Sequence, residues 1–266
     1  MPPQFDATHR PGRGRRWRGA VAGLAIVGVA LGAGSLAGVI SHPPPVVHTT
    51  KRQHSFSAGP SISATPAAQS LAQVAANDLP EIVTIVAIGR QTEELGTGWP
   101  IDSQGDFITN DHVVRDGLSF HALTAAGAEY PAQVINVDAA LDLAEVRVVG
   151  LREQPFTLGE LPAAIGEPVV VLASEGATGK PPVTDAVING VGERATVEHA
   201  EPGQLSNYSD LIRIPARIFP GNSGGPMLTA GGQVVGILTL AAANGSGAFA
   251  IPLAEVDPII QQWLQT

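Results

Sequence analysis

Short runs of β-forming residues, separated by turn residues, recur along the chain from residue 81 to residue 251. They do not alternate with helical segments, as the strands of a parallel sheet would. The pattern therefore predicts an all-β fold of sandwiches or barrels. An apolar content of 44% and a charged content of 15% exclude a disordered chain. The runs are Glu81–Ile88, Asp106–Thr109, Gln133–Val137, Leu141–Val149, Pro168–Leu172, Val183–Ile188, Gln233–Leu240 and Gly247–Ile251.

Two helices are expected at the ends of this β-rich body. Residues 66–77 suit a short helix before the first strand. Residues 254–265 carry apolar side chains at helical spacing, which predicts an amphipathic terminal helix that docks on the body. Asp257 and Pro258 suit the N-cap and the first helical position of that helix.

The N-terminal quarter has a different composition. Residues 1–18 include five arginines and form a basic tail, and residues 19–40 carry no charge. A helix of 22 residues at roughly 1.5 Å per residue spans a bilayer core, with its basic flank in the cytoplasm. The prediction is one transmembrane anchor at 19–40, a flexible Pro/Ser-rich linker at 41–65 and an extracytoplasmic body at 66–266. A cleaved signal peptide is the alternative, and both interpretations export the body.

The charge and the absence of cysteine exclude several functional classes. From residue 79 onward the chain has eight Lys or Arg and 22 Asp or Glu, so a nucleic-acid-binding surface is not expected. With no cysteine, the chain can form no disulfide, thiolate zinc site or iron–sulfur cluster. We expect neither a metal nor another cofactor.

A serine lies in the glycine-rich segment 220–226, Pro-Gly-Asn-Ser-Gly-Gly-Pro. Such a segment can be an ordinary turn, or it can aim two backbone N–H groups at one point and form an oxyanion hole. It also fits the G-x-S-x-G nucleophile elbow of α/β-hydrolases, but in that fold the histidine follows the serine. All seven histidines precede Ser223, which excludes that fold and leaves the order His, Asp, Ser.

A serine nucleophile needs a histidine base and a carboxylate that orients it. Among the histidines of the body, His112 ends an apolar strand, whereas His121 alternates with apolar residues and His199 lies in a polar loop. Asp142 opens the strand that follows it and is the better candidate for the carboxylate, with Asp138 as the second candidate.

Three sequence blocks together resemble HtrA/Deg-type trypsin-like serine proteases. The segment 96–114, with Gly-Thr-Gly-Trp and Thr-Asn-Asp-His-Val-Val, is similar to their histidine block. Asp-Leu-Ala at 142–144 is similar to their aspartate block, and 220–227 followed by Val-Val-Gly-Ile at 234–237 to their serine block. The resemblance runs from about residue 79 to residue 265 and includes Phe-Ala-Ile-Pro at 249–252.

This resemblance implies a fold and a set of roles. The expected fold is two packed six-stranded β-barrels of chymotrypsin type, at about 79–155 and 160–252, followed by the terminal helix. His112 would be the general base, Asp142 its orienting carboxylate and Ser223 the nucleophile. The N–H groups of Gly221 and Ser223 would form the oxyanion hole.

The implied function is a membrane-tethered serine endopeptidase that hydrolyses exported polypeptides through an acyl-enzyme. Envelope protein quality control or processing is the expected role. A catalytically silent peptide-binding module with a protease fold is the alternative, and an esterase is a third interpretation that the order of the histidines disfavours.

Two departures from the family pattern bear on specificity and regulation. The chain ends after the terminal helix, so regulation by a C-terminal PDZ domain, which most familiar members carry, is not expected. Arg217-Ile218-Phe219 replaces the expected Ala-Ile-Asn before the serine. Because the residue six before the serine lies at the base of the primary specificity pocket in trypsin-like folds, Arg217 could favour acidic substrate side chains. The alternative is that Arg217 points to solvent or pairs with an acidic neighbour.

Overall fold

The computed structural model describes residues 26–28, 69–174, 183–198, 205–242 and 245–265. Fifteen strands and three helices make up these residues, and the predicted all-β fold with a C-terminal helix is confirmed. The helices are α1 (Leu71–Asp78), α2 (Asp111–Val114) and α3 (Leu253–Trp263), with a 3₁₀ turn at Leu79–Glu81. The strands are β1 (Ile26–Gly28), β2 (Val83–Ile88), β3 (Glu93–Pro100), β4 (Asp106–Thr109), β5 (Ser119–Thr124), β6 (Glu129–Asp138), β7 (Leu143–Val148), β8 (Thr157–Leu158), β9 (Pro168–Leu172), β10 (Val183–Val187), β11 (Gly190–Glu198), β12 (Leu205–Ile214), β13 (Pro226–Thr229), β14 (Gln233–Ala241) and β15 (Ala248–Pro252).

The first half of the body is a closed barrel of six strands. Its order is β2-β3-β4-β7-β6-β5, and each neighbouring pair is antiparallel. Strands β4 and β7 lie side by side and are almost entirely buried, with Phe107 and Val146 fully buried in the barrel core. Closure leaves no unpaired strand edge, so this half holds its loops on a rigid frame.

The second half is a nine-stranded sheet instead of the predicted closed six-stranded barrel. Its main order is β1-β11-β12-β15-β14-β13-β9-β10, and β8 pairs with β14. Near the two ends of this order lie β10 and β11, which are consecutive in the chain and are separated only by Ile188 and Asn189. The N–H of Ile188 donates to Glu167, beside β9, whereas the N–H of Asn189 donates to Arg213 on β12. The chain therefore changes neighbours at this corner, and no described hydrogen-bonded ladder closes the ring.

One apolar cluster joins the two halves. It combines Trp99 and Leu143 from the barrel with Leu172, Leu228 and Ile237 from the sheet, all of them fully buried. Burial of side chains of this size contributes about 1.5–3 kcal/mol each, so the seam is a strongly stabilised interface. The loops that carry the candidate site residues lie along this seam.

The helices follow the sequence prediction, with one correction. A capping box between Ser70 and Gln73 starts α1, and α3 packs Leu253, Val256 and Ile260 into the core. Helix α3 runs from Leu253 to Trp263, close to the predicted range 254–265, but Pro258 lies inside it, so the predicted N-cap at Asp257 and first position at Pro258 are wrong. Leu253 and Val256 are buried with Ile260, and the helix begins at Leu253.

Most of the predicted anchor at 19–40, the basic tail before it and the linker after it lie outside the described residues. The exception is β1, Ile26–Gly28, which pairs antiparallel with β11 at residues 196–198. These three residues are extended, not helical, at a point where the sequence predicted a helix, and β-branched residues such as Ile and Val favour strands. No helix among the described residues is long and apolar enough to cross a membrane.

Candidate active site

His112 lies on the single-turn helix α2, directly after β4. The prediction that His112 ends a strand is therefore wrong in detail, because the strand ends at Thr109 and the histidine lies in the helical turn that follows. Asn110 precedes the helix and donates its side-chain N–H to the main-chain carbonyl of Asp142 over 2.9 Å. This bond ties the loop of the histidine to the loop of the aspartate. The imidazole is about one-third exposed, at 31%.

Asp142 faces His112 in close, two-point contact. Its Oδ2 lies 2.8 Å from His112 Nδ1, and its Oδ1 accepts the main-chain N–H of His112 over 2.9 Å. The carboxylate is only 2% exposed, and its residue has a φ of +53°, a left-handed conformation that few residues other than glycine adopt. Strained backbone of this kind persists where surrounding bonds fix it, and here it aims the carboxylate at the imidazole.

Three further side chains converge on the Asp142 carboxylate. Thr239, from β14, donates its hydroxyl to Oδ2 over 2.7 Å, and Tyr208, from β12, donates to the same oxygen over 3.4 Å. The guanidinium of Arg115 lies 3.6 Å from Oδ1. The aspartate belongs to the barrel half, whereas Thr239 and Tyr208 belong to the sheet half. The carboxylate therefore links the two halves.

These contacts decide the charge of Asp142. Burial alone would raise the pKa of its carboxyl, but the charge and hydrogen bonds of His112 and the hydroxyl of Thr239 lower that pKa below its ordinary value. Asp142 is consequently ionised at neutral pH and stabilises positive charge on the imidazole. Burial and the nearby Asp142 also raise the pKa of Tyr208, which stays a neutral donor.

Ser223 lies in the turn of residues 219–225, between β12 and β13. Gly221 and Gly224 have φ values of +94° and +88°. A Cβ at Gly224 would collide with the carbonyl of Thr97 and with the Thr109 side chain, so this position requires glycine. The Asn222 side chain closes the turn by accepting the N–H of Phe219 over 2.6 Å.

Two N–H groups of this turn have no acceptor among the described residues. The N–H groups of Phe219, Asn222, Gly224 and Gly225 all donate to protein acceptors. Those of Gly221 and Ser223, the two predicted oxyanion-hole donors, do not. Unpaired N–H groups that flank a serine can bind an oxyanion, as stabilisation of a tetrahedral intermediate requires.

The hydroxyl of Ser223 donates to the carbonyl oxygen of Thr239 over 3.4 Å. Within the described ranges, no hydrogen bond joins this hydroxyl to His112. Thr239 nevertheless contacts both candidate residues, Ser223 through its carbonyl and Asp142 through its hydroxyl. Thr239 therefore links Ser223 to the Asp142–His112 pair, although the serine hydroxyl is turned to a backbone acceptor.

Thr97, on β3, supports the serine turn from the barrel half. Its fully buried hydroxyl donates to the carbonyl of Gly221 over 2.7 Å and accepts the N–H of Ser174 over 3.0 Å. Its own N–H donates to the carbonyl of Ser223 over 2.7 Å. Thr97 belongs to the histidine block of the sequence, where no signal indicates this role. Thr239 and Tyr208 are not predictable from the sequence, because no local signal marks residues that act across the seam.

The other candidates lie elsewhere or have other partners. His121 pairs with Glu129 across β5 and β6 over 3.0 Å, and Asp138 caps a turn by accepting the N–H groups of Ala140 and Leu141. His199 lies outside the described residues. Arg217 is exposed, and its guanidinium carbon lies 5.4 Å from the centroid of the Phe219 ring, which is a cation–π contact.

The chain is similar to known proteases in sequence and in structure. Residues 96–237 match the family described as trypsin-like peptidase domain. A DegP-like periplasmic serine endoprotease of Chlamydia pneumoniae is 33% identical over 184 residues, which cover 64% of this chain and 34% of that protein. The serine protease PepD of Mycobacterium tuberculosis is 29% identical over an alignment that covers 100% of this chain and 61% of PepD. The chain thus spans about one-third of the first relative and less than two-thirds of the second.

The structural comparison agrees. The active form of the Rv3671c protease of M. tuberculosis superposes with a TM-score of 0.62 at 27% identity, covering 76% of this chain and 92% of that one. The matched family region contains His112, Asp142 and Ser223 and extends over both halves. The chain therefore belongs to the family of trypsin-like peptidase domains.

Proposed function

We propose that the protein is an extracytoplasmic serine endopeptidase that uses Ser223, His112 and Asp142. The observation that carries the proposal is the His112–Asp142 pair, with its buried carboxylate, beside a serine turn in which two N–H groups have no acceptor among the described residues. The relatives named above are serine proteases, which supports the same reaction class.

In the proposed mechanism, His112 removes the proton of the Ser223 hydroxyl as this oxygen attacks the carbonyl carbon of a peptide bond. The oxygen of that carbonyl becomes an oxyanion and accepts hydrogen bonds from the N–H groups of Gly221 and Ser223. Ionised Asp142 holds Nδ1 of the imidazole and stabilises its positive charge. The imidazolium then protonates the leaving nitrogen, and water hydrolyses the acyl-enzyme by the reverse sequence of proton transfers.

The mechanism requires a change at the serine. Its hydroxyl must leave the Thr239 carbonyl, where it bonds over 3.4 Å, and turn toward the imidazole. A bond of this length is weak, so a rotation about χ1 of the serine is a small rearrangement. The same observation favours the second candidate function, a peptide-binding module in which the hydroxyl stays turned away and no acyl-enzyme forms.

We also propose the organisation that the sequence predicted around this body. Residues 19–40 would anchor the chain in a membrane, with residues 1–18 in the cytoplasm, residues 41–65 as a linker and residues 66–266 outside. The pairing of residues 26–28 with β11 in the structure would have to open before this segment could insert as a helix. The uncharged segment and its basic flank support this arrangement. The nine-stranded sheet would serve as the second barrel, with β10 and β11 as two parts of one bent strand that completes the ring. Polypeptides would be the substrates, in envelope protein quality control or processing.

Covalent labelling of the purified full chain with a fluorophosphonate probe tests the proposal. We expect one adduct, mapped by mass spectrometry to Ser223, that is absent in Ser223→Ala and strongly reduced in His112→Ala. His121→Ala is the matched control and should label like the wild type, because His121 pairs with Glu129 away from the site. A folded chain that binds peptides but does not label at Ser223 would favour the binding module.

A further inference from the structure

Glu94 lies at the start of β3, the strand that passes the serine turn on the barrel side. Alternate residues of a strand share a face, so Glu94 projects on the same side as Gly96. A Cβ on Gly96 would lie 2.6 Å from the Val113 side chain and 3.2 Å from the carbonyl oxygen of Ser223. That face of β3 is therefore directed at α2 and at the serine, and Glu94 is the nearest side chain beyond Gly96 on it.

The electrostatic surroundings of Glu94 agree with this placement. Burial raises the pKa of its half-buried carboxyl, the charge of His112 lowers it, and the nearby Asp116 raises it. No Lys or Arg forms an ion pair with Glu94 in the part of the chain that the structure describes. The carboxylate thus lies within electrostatic range of the imidazole, without an ion pair to Lys or Arg in the described residues, and Asp116 adds negative charge to the same region.

The proposed reaction fixes which part of a substrate passes Glu94. The scissile carbonyl must bind at the N–H groups of Gly221 and Ser223, which belong to the sheet half. The leaving nitrogen must face the imidazole, which belongs to the barrel half. The segment on the carboxyl side of the scissile bond therefore departs over the barrel half, along β3 and α2.

We propose that Glu94 selects polypeptide substrates that carry Lys or Arg at the first or second position after the scissile bond. This inference rests on the proposed function. A cationic side chain in the leaving segment would pair with the free carboxylate and would be repelled by neither Glu94 nor Asp116. An acidic side chain at the same position would meet like charge.

The test uses the full chain and a fluorescence-quenched peptide taken from a mapped casein cleavage site. The first two residues after the scissile bond are set in turn to Lys, Ala or Glu, and kcat/KM is measured for each. We expect the wild type to prefer Lys over Glu by about threefold to tenfold, which is the range for a partly exposed charge pair. The preference should weaken in 0.5 M salt because ions screen the pair.

Two variants of Glu94 and one control at Glu93 test whether the preference depends on Glu94 and not on its neighbour along the strand. Glu94→Gln should reduce the Lys-to-Glu preference to about twofold or less, and Glu94→Lys should reverse it. Glu93→Gln is the matched control, because Glu93 is exposed on the opposite face of β3, and it should keep the wild-type preference. Each variant is also labelled with the fluorophosphonate probe. Glu93→Gln should label at Ser223 like the wild type, and labelling of the Glu94 variants shows whether the site is still assembled when the preference changes.

The outcomes distinguish this inference from the proposed function. Equal preference in the wild type and in Glu94→Gln, or no preference for Lys in the wild type, overturns the role of Glu94 while the protease function stands. Loss of the preference in Glu93→Gln also overturns the role of Glu94, because the preference for Lys would then depend on the net charge of β3. Absence of both cleavage and Ser223 labelling in the wild type overturns the protease function and this inference together.

Discussion

The two halves of the molecule hold their parts of the site in different ways. The barrel half holds the Asp142 carboxylate in contact with His112 Nδ1 at 2.8 Å and with the His112 N–H at 2.9 Å. The sheet half carries the serine on a glycine-rich turn, with two N–H groups that have no acceptor among the described residues and a 3.4 Å bond from the hydroxyl to a backbone carbonyl. The proposed acid–base pair is therefore preassembled, whereas the hydroxyl of the proposed nucleophile is turned away from it.

The architecture accounts for this difference. A closed barrel has no free edge, and its buried strands β4 and β7 fix the loops of His112 and Asp142 from below. The serine turn connects β12 to β13 and includes two glycines with positive φ, which allow the backbone to turn tightly. The turn depends on side chains from the other half, above all Thr97, for part of its support. Changes at the seam should therefore affect the nucleophile more than the acid–base pair.

Removal of the charge of Asp142 should have the largest effect. Asp142→Asn would leave a neutral amide beside His112 and favour the wrong imidazole tautomer, so we expect kcat/KM to fall about 10³- to 10⁴-fold. Asp138→Asn is the matched control, because Asp138 only caps a turn four residues away, and it should stay within about threefold of the wild type. A loss below tenfold in Asp142→Asn would mean that the preassembled pair does not drive catalysis.

Disconnection of Thr97 from the serine turn should have an intermediate effect. Thr97→Val keeps the shape but removes the hydroxyl that binds the Gly221 carbonyl and receives the Ser174 N–H. We expect kcat/KM to fall roughly tenfold to a hundredfold, since the oxyanion-hole peptide loses its support. Thr97→Ser retains the hydroxyl and should recover most of the activity.

The thermal midpoint of each Thr97 variant separates site geometry from loss of folding. Equal activity of the Val and Ser variants at equal stability would show that the barrel half does not position the turn.

Tyr208 tests how far the sheet half tunes the preassembled pair. The contacts of Asp142 lower its pKa in the folded state, so their stabilisation is present above the unfolded pKa and is lost as the pH falls through the folded one. Tyr208→Phe removes one donor to the carboxylate and should raise that pKa. We expect the loss of thermal stability on acidification to begin a few tenths of a pH unit higher than in the wild type, with about a two- to fivefold loss of kcat/KM at neutral pH. An unchanged dependence of the thermal midpoint on pH would assign Tyr208 to packing alone.

The connection between the halves should give the smallest effect. Glu153 follows the last strand of the barrel, and burial together with a hydrogen bond and charge repulsion from Glu81 raises its pKa to about 7. In the folded state the Glu153 carboxyl keeps its proton up to a pH of about 7, whereas in the unfolded chain it loses that proton above its ordinary pKa of 4.5. The stability of the folded state therefore falls as the pH rises through this range. Glu153→Gln should raise the thermal midpoint by roughly 1–2 °C at pH 8 and by less at pH 5. An equal rise of the thermal midpoint at pH 5 and pH 8 would contradict the raised pKa of Glu153 in the folded state.

The sequence predicted the parts of the molecule whose signals are local. The runs at Asp106–Thr109 and Pro168–Leu172 match β4 and β9 residue for residue, because each is a short run of strand-forming residues bounded by turn residues. The candidate residues His112, Asp142 and Ser223 came from short motifs in a fixed order. The structure brings His112 and Asp142 into contact. Ser223 is linked to this pair through Thr239, whose carbonyl accepts the serine hydroxyl and whose own hydroxyl donates to Asp142.

What the sequence could not predict depends on tertiary pairing. The bend at Ile188 and Asn189, where one run of chain changes from β9 to β12, has no local signal, so a regular second barrel was expected. Pro258 inside α3 was taken for a helix start because proline favours that position, but burial of Leu253 decided the boundary. Thr239 and Tyr208 reach Asp142 from strands more than 60 residues away in the chain.

A crystal structure of the full chain with a fluorophosphonate bound covalently would show both parts of the site at once. We expect a bond from the probe phosphorus to Ser223 Oγ, with the phosphonyl oxygen about 2.7–3.1 Å from the N–H nitrogens of both Gly221 and Ser223. We also expect the His112–Asp142 contacts to remain unchanged while the Ser223 oxygen leaves the Thr239 carbonyl. An adduct on another residue, or a phosphonyl oxygen directed away from both N–H groups, would contradict the proposed division between a preassembled pair and a mobile nucleophile.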